Sequence, residues 1–196
     1  MMLTLGSLFD GIGGWLLAAV HNGVKPIWSS EIEKFPMAVT KHHFPDVIQF
    51  GDITKLDGAT LPPVDIICAG SPCQDLSVAG KREGLKGERS GLFINAINIV
   101  RRMRMSTGGR QPRFFVWENV PGAFSSNQTN QIIKTMAQGE LKFVIAGYIV
   151  LKTFMPIWEK HLRVSALIVL MLMEIIVKKI ADGQTTKRNS ITNGIA

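Results

Sequence analysis

The chain has 196 residues, 46% of them hydrophobic and 19% charged, with two cysteines and a formal net charge of +7. Such a length suits one domain with a substantial core, and the composition excludes a disordered chain. Two cysteines exclude a disulfide framework and fit a reducing compartment. The basic excess fits a polyanionic partner without specifying one: residues 1–127 carry 13 basic against 11 acidic side chains, residues 128–196 carry 9 against 4.

The opening MMLTLGSLFDGIGG lacks a basic leader region, and glycines and an aspartate interrupt its apolar run. No secretory signal is therefore expected, and the expected location is cytoplasmic. Residues 3–9 (LTLGSLF) predict a first strand, and WLLAAVHNG a helix after it. PIWSSE predicts a second strand and IEKFPMAVTKHHF a second helix, with Pro36 tolerable only in its first turn. VIQFGDI predicts a third strand and residues 64–70 (VDIICAG) a fourth. In GLFINAINIVRRMR, apolar Leu92, Phe93, Ile97 and Val100 recur at helical spacing ahead of a basic end. Residues 114–120 (FFVWENV) predict a fifth strand.

After Asn127 the pattern changes. FVIAGYIVL and VSALIVLMLMEIIV are apolar but fall into no assignable strand–helix unit. The second is shorter than the roughly 18 apolar residues of a membrane span and contains Glu174, so a buried helix is expected there. The last stretch, DGQTTKRNSITNGIA, is polar and expected to fray. No internal repeat is present.

Apolar strands separated by helices predict an α/β fold with a parallel sheet covered on both faces. Such sheets bind ligands beyond the carboxyl ends of their strands. Residues 9–14, Glu31, Asp52, residues 70–73 and Glu118 all follow predicted strand ends, which places them on one rim.

FDGIGG supplies Gly11, Gly13 and Gly14, where absent side chains permit a tight turn and close approach to a ligand. An ordinary turn with close helix packing would look the same. Glu31, about 20 residues on, could accept both hydroxyls of a ribose; equally, it could be an acid at a helix N-terminus. Asp52 could accept from an adenine amino group, or simply cap the turn in GDIT. Together the three favour an adenosine-containing cofactor, leaving open a dinucleotide or S-adenosylmethionine.

The two cysteines differ. Cys68 lies within an apolar strand and reads as a small buried hydrophobe. Cys73 lies past the strand end, beyond Gly70 and Pro72, where a thiolate could act as a nucleophile; the alternative is a loop thiol without chemistry. Glu118 ends an apolar strand, where a carboxylate needs a partner or a task. Desolvated, it could hold and donate a proton; otherwise it caps the turn with Asn119. A thiol, a proton-donating carboxyl and an adenosine pocket suggest attack on C6 of a pyrimidine with protonation of N3. C5 then becomes nucleophilic toward a sulfonium-borne methyl.

In order and spacing, FDGIGG, SSEIE, GDIT, GSPCQDLSVAGKREG, ERSGLF and WENVPG resemble the DNA cytosine-5 methyltransferases of the bacterial and phage Dcm-like kind, over roughly residues 3–125. The Pro-Cys-Gln and Glu-Asn-Val elements are the specific ones. The resemblance implies a Rossmann-like S-adenosylmethionine-dependent methyltransferase fold, incomplete in this chain, with residues 1–127 as cofactor-binding and catalytic portion and 128–196 as a divergent tail. It implies Cys73 as nucleophile, with Pro72 and Gln74 shaping its loop. Glu118 would protonate cytosine, with Asn119 and Val120 holding that segment. Phe9, Asp10, Gly11, Gly13 and Gly14 would line the cofactor site, Glu31 would take the ribose, Ile32 would pack on adenine, Asp52 would meet its amino group, and Leu92 would be a further cofactor contact. Residues 74–91 would form a loop closing over DNA. It contains Ser77, and its Lys81, Arg82, Lys86 and Arg89 suit phosphate contacts or a merely solvated basic loop. The implied cofactor is S-adenosylmethionine and the implied partner double-stranded DNA, with no metal and no membrane; a cognate restriction enzyme is not specified. A stacked base hides C5 and C6, so the target cytosine would be flipped out.

Three family features are not found after Asn127: the arginine-rich Gln-Arg-Arg-x-Arg element, a DNA-reading region and the final motif that completes the cofactor pocket. EKHLRV is a faint echo of the first. The expectation is a truncated or frameshifted sequence, whose alternative to a working enzyme is an inactive remnant that binds cofactor or DNA without turnover.

Overall fold

A computed structural model of the chain describes residues 2–71 and 91–119, the backbone of 142–145, and the helical positions Glu174 and Lys178. Strands β1 (Thr4–Leu8), β2 (Lys25–Ser30), β3 (Ile48–Phe50), β4 (Ile66–Gly70), β5 (Phe114–Glu118) and β6 (Lys142–Ile145) alternate with helices α1 (Gly14–His21), α2 (Lys34–His43) and α3 (Gly91–Ser106). The five expected strands and the three helices expected before Asn127 form, at slightly different bounds; the buried helix expected over VSALIVLMLMEIIV lies outside the described residues except for Glu174, which is helical and exposed.

Every strand pair is parallel, in the order β3-β2-β1-β4-β5-β6. The order reverses between β1 and β4, and a crevice opens at such a switch point beyond the strand ends. Register aligns that rim: Ser30 pairs with Phe50 and with Leu8, Leu8 with Ala69, Ala69 with Trp117, and Gly70 with Glu118.

Alternate residues of the central strands feed two cores. Leu5, Ile66, Cys68, Phe114 and Val116 pack with Trp15, Leu16, Ala18 and Ala19 of α1. Leu8, Ile67, Ala69, Phe115 and Trp117 pack with Phe93, Ala96, Ile97, Val100 and Met103 of α3. Burial on both faces is why these strands read as unbroken apolar runs. Each fully buried large side chain contributes about 1.5–3 kcal/mol. Phe93 and Trp117 stack at 4.0 Å between ring centroids, joining the first turn of α3 to the end of β5.

Gly6 is required by close approach. A Cβ there would stand 2.2 Å from the Trp28 ring, which crosses β1 and donates its Nε1 hydrogen to the Pro62 carbonyl at 2.9 Å. Pro36 is the third residue of α2, where its missing N–H has no intrahelical partner to lose. β3 covers only part of the expected VIQFGDI run; Asp52 instead caps a single 3-10 turn over Ile53–Lys55. β6 comes from the apolar stretch that the pattern of residues left unassigned, and it extends the sheet beyond β5. Among the described residues no helix is long and apolar enough to cross a membrane.

Candidate active site

The loop after β1 is unusual in its backbone. Phe9 adopts φ 56°, and Gly11 and Gly13 have φ 58° and 89°. Left-handed backbone is easy for glycine and costs a side-chain-bearing residue of order 1–3 kcal/mol, a strain found mostly at functional sites. Here Phe9 is held by packing against the α3-side core. Space around the loop is asymmetric. A Cβ at Gly13 would meet the Phe44 ring at 3.1 Å and Thr40 Oγ1 at 3.4 Å, whereas one at Gly11 or Gly14 would find nothing within 4 Å. One side of the loop is closed by α2 and the residue after it; the other is open.

Glu31 reaches this loop. Its Oε2 accepts from Gly11 N–H at 2.8 Å, and its Oε1 accepts from Ile32 and Glu33 N–H at 2.8 and 2.9 Å. The residue therefore acts in the turn before α2, as the plainer reading of the sequence allowed, and also ties the end of β2 to the glycine loop. Thr40, which no sequence signal singles out, donates its hydroxyl hydrogen to Gly11 O at 3.3 Å. Ile32 is exposed at the same rim. Asp52 caps: its Oδ1 accepts from Thr54 N–H and Oγ1, at 2.9 and 2.8 Å, and these bonds hold its carboxyl below the usual range. Leu92 is partly buried at the start of α3, against the core.

Asp10 is the buried acid of the loop. Only 5% of it is exposed, and neither carboxylate oxygen has a hydrogen-bond partner; the neighbouring Ser7 hydroxyl has none either. Burial pushes its carboxyl up to about 7, the Glu31 charge adds to the rise, and the nearby Ser7 and Thr40 hydroxyls oppose it. Cys68 is fully buried, and that burial, with the Asp10 charge, keeps its thiol well above the normal value. It is a core thiol.

Across the switch point, β4 and β5 end side by side. Glu118 Oε2 lies 3.4 Å from where a Gly70 Cβ would stand, and burial raises the Glu118 carboxyl. Asn119 donates its side-chain amide to both the carbonyl and the hydroxyl of Ser71 at 2.9 Å, and Trp117 Nε1 donates to the same hydroxyl at 2.9 Å. Ser71 and Asn119 are both buried. Ser71, which sequence reasoning passed over, thus fixes the segment entering Pro72 and Cys73 beside the segment bearing Glu118. Pro72, Cys73, Gln74, Ser77, Lys81, Arg82, Lys86, Arg89 and Val120 lie outside the described residues. The structure therefore brings together the glycine loop and Glu31 on one side of the crevice, and Ser71, Glu118 and Asn119 on the other.

The family model for C-5 cytosine-specific DNA methylases matches residues 3–151. The chain belongs to that family. The match runs past Asn127 and includes β6. Among relatives of this chain, M.MspI of Moraxella sp is 39% identical over 125 residues, 64% of this chain and 28% of the relative. M.HpaII of Haemophilus parainfluenzae is 37% identical over 135 residues, 68% and 35% respectively. A phage P1 protein named as a DNA N-6-adenine-methyltransferase is 38% identical over 130 residues, 63% of this chain but 17% of that one. The chain thus spans about a third or less of these relatives' lengths. Among solved structures, S. pombe Dnmt2 superposes with a TM-score of 0.54 at 19% identity, covering 69% of this chain and 42% of that one. The Entamoeba histolytica methyltransferase EhMeth gives 0.58 at 15% identity, covering 70% and 44%. At such identities the likeness concerns the fold, which is Rossmann-like.

Proposed function

We propose that this methylase chain carries the cofactor and catalytic machinery for methylating C5 of cytosine in double-stranded DNA. The observation that supports the reading best is the Asn119–Ser71 anchor, which holds the entry to Cys73 against the end of β5, where Glu118 is half-buried and its carboxyl raised by desolvation.

The loop suits S-adenosylmethionine: its open side offers backbone at Gly11 and Gly14, and Glu31 stands beside it. Phe9, Asp10, Gly11, Gly13 and Gly14 would line that cofactor, Glu31 and Asp52 would face its ribose and adenine amino group, and Ile32 and Leu92 would supply apolar contact. S-adenosylmethionine supplies a methyl group on a sulfonium, an electrophile for an electron-rich carbon. Cys73 as thiolate adds to C6 of the flipped cytosine. Glu118, whose carboxyl burial raises, gives a proton to N3, so the added electron pair accumulates at C5. Once C5 has taken the methyl group, which would leave S-adenosylhomocysteine, loss of the C5 proton to water, departure of Cys73 from C6 as thiolate and return of the N3 proton to Glu118 restore the aromatic ring. Asn119 keeps the Glu118 segment in place; on this reading Pro72 and Gln74 would shape the nucleophile's turn, and Ser77, Lys81 and Arg82 would belong to the DNA-facing loop.

The test is a covalent adduct with 5-fluorocytosine duplex DNA in the presence of S-adenosylmethionine. A denaturation-resistant band absent in Cys73→Ser is expected. Cofactor binding with neither adduct nor methyl incorporation would identify the chain as a non-catalytic remnant. Adenine N6 methylation, the activity in the P1 relative's name, needs no thiol attack; labelled methyl on adenine that survived Cys73→Ser would favour it.

A further inference from the structure

Nearly all buried polar groups in native proteins are hydrogen-bonded, so an unpartnered one asks what completes it. Asp10 is 95% buried, counting from its 5% exposure, and neither of its oxygens is bonded; Ser7 Oγ beside it is equally unpartnered. Its main chain is firmly held, with its N–H on Ser30 O at 3.1 Å and its carbonyl accepting from Gly13 N–H at 3.2 Å. The side chain is therefore no accident of a loose loop.

The groups that act on Asp10 come from each neighbouring element. β1 presents the Ser7 hydroxyl, α2 the Thr40 hydroxyl, the end of β2 the Glu31 carboxylate and β4 the Cys68 thiol. Glu31 repels a second negative charge, and the Cys68 thiol carries none at neutral pH. Ionisation of Asp10 is thus disfavoured by desolvation and by a like charge. A cation arriving on the loop opposes both effects.

We propose that Asp10 is a proton-releasing counter-ion of the glycine loop: in the ligand-free protein it holds a proton in a fraction that grows as pH falls below neutral, and it gives that proton up to solvent when a positively charged ligand settles on residues 9–14. The proposal rests on the cofactor reading above, because S-adenosylmethionine carries two cationic groups, a sulfonium and an α-ammonium. Asp10 is a positioning residue here, setting charge beneath the loop rather than touching the reacting carbon. An acid whose proton is lost on binding makes binding tighter as pH rises and weaker as pH falls through the acid's range.

Isothermal titration calorimetry in two buffers of different ionisation enthalpy counts the protons released. With the free carboxyl near 7, S-adenosylmethionine is expected to release about half a proton at pH 7 and about three-quarters at pH 6.5. Its dissociation constant should weaken roughly eightfold between pH 7.5 and pH 6 if the cation lowers the carboxyl by about two units. Asp10→Asn should abolish both effects, and the difference from wild type removes protons exchanged by the ligand's own amine, which titrates at about 7.7 to 8. S-adenosylhomocysteine, which lacks the sulfonium, assigns the cation: retained release points to the ammonium, lost release to the sulfonium. Binding by wild type without proton release or pH dependence overturns the proposal and leaves the cofactor reading intact. Absence of binding by either compound removes both. The wild-type proton count and pH series need no variant, so they decide the matter even if Asp10→Asn does not fold.

Discussion

Asn119 spans the ends of β4 and β5, donating to the carbonyl and hydroxyl of Ser71 at 2.9 Å each. Through it, two segments 48 residues apart in sequence become one edge of a crevice. The bond pair lies where water is excluded, so its loss leaves buried acceptors unsatisfied.

Asn119→Ala should therefore destabilise the fold by about 1–3 kcal/mol in chemical denaturation. Its effect on adduct formation with 5-fluorocytosine DNA should exceed its effect on S-adenosylmethionine affinity, because the cofactor loop sits on the other side of the switch point. Equal losses in both would contradict that division of labour.

Burial raises the Glu118 carboxyl, so folding favours its protonated form relative to the unfolded chain. Stability tied to this group is present below the unfolded carboxyl's value and declines as pH rises through the folded one. Glu118→Gln should consequently be more stable than wild type at pH 8, with the gap closing near pH 4, while failing to transfer methyl groups. A gap that widened on acidification would refute burial as the cause.

Asp10 follows the same rule over a wider window, from its ordinary 3.8 to about 7. Ligand-free protein should lose stability as pH rises across that interval, by about 4 kcal/mol at most for a shift of this size. Urea unfolding of wild type and Asp10→Asn at pH 5 and pH 8 measures it; parallel pH slopes for the two proteins would exclude Asp10 as the source.

Gly6→Ala places a methyl group 2.2 Å from the buried Trp28 ring. Overpacking of this kind costs about 1–3 kcal/mol and here would push the ring off β1. A lowered denaturation midpoint with changed tryptophan fluorescence is expected. An unaltered midpoint would mean that β1 and β2 separate more easily than their packing implies.

Glu31→Ala removes acceptors from three backbone N–H groups, one of them on the glycine loop. S-adenosylmethionine affinity should fall at least tenfold, with the fold itself retained. Unchanged affinity would confine Glu31 to the turn before α2.

Apolar periodicity made five of the six strands and all three described helices legible, because central parallel strands bury both faces and say so in unbroken Val, Ile and Phe runs. β6 is the exception: three of its four residues sit inside a longer apolar stretch whose pattern suits strand or buried helix alike. That glycines and the acids Glu31 and Glu118 stand at strand ends was equally legible, since they are visible as letters.

What the linear order determined is which residues stand at strand ends, for that depends on local pattern. Tertiary structure alone decided which ends are neighbours. The reversal between β1 and β4, the grip of Glu31 on Gly11, the tie from Asn119 to Ser71 and the isolation of the Asp10 carboxyl all arise between segments 20 or more residues apart or from burial by several elements at once. Local propensity acts over a few residues. Hydrogen bonding and desolvation act over ångströms, whatever the separation along the chain.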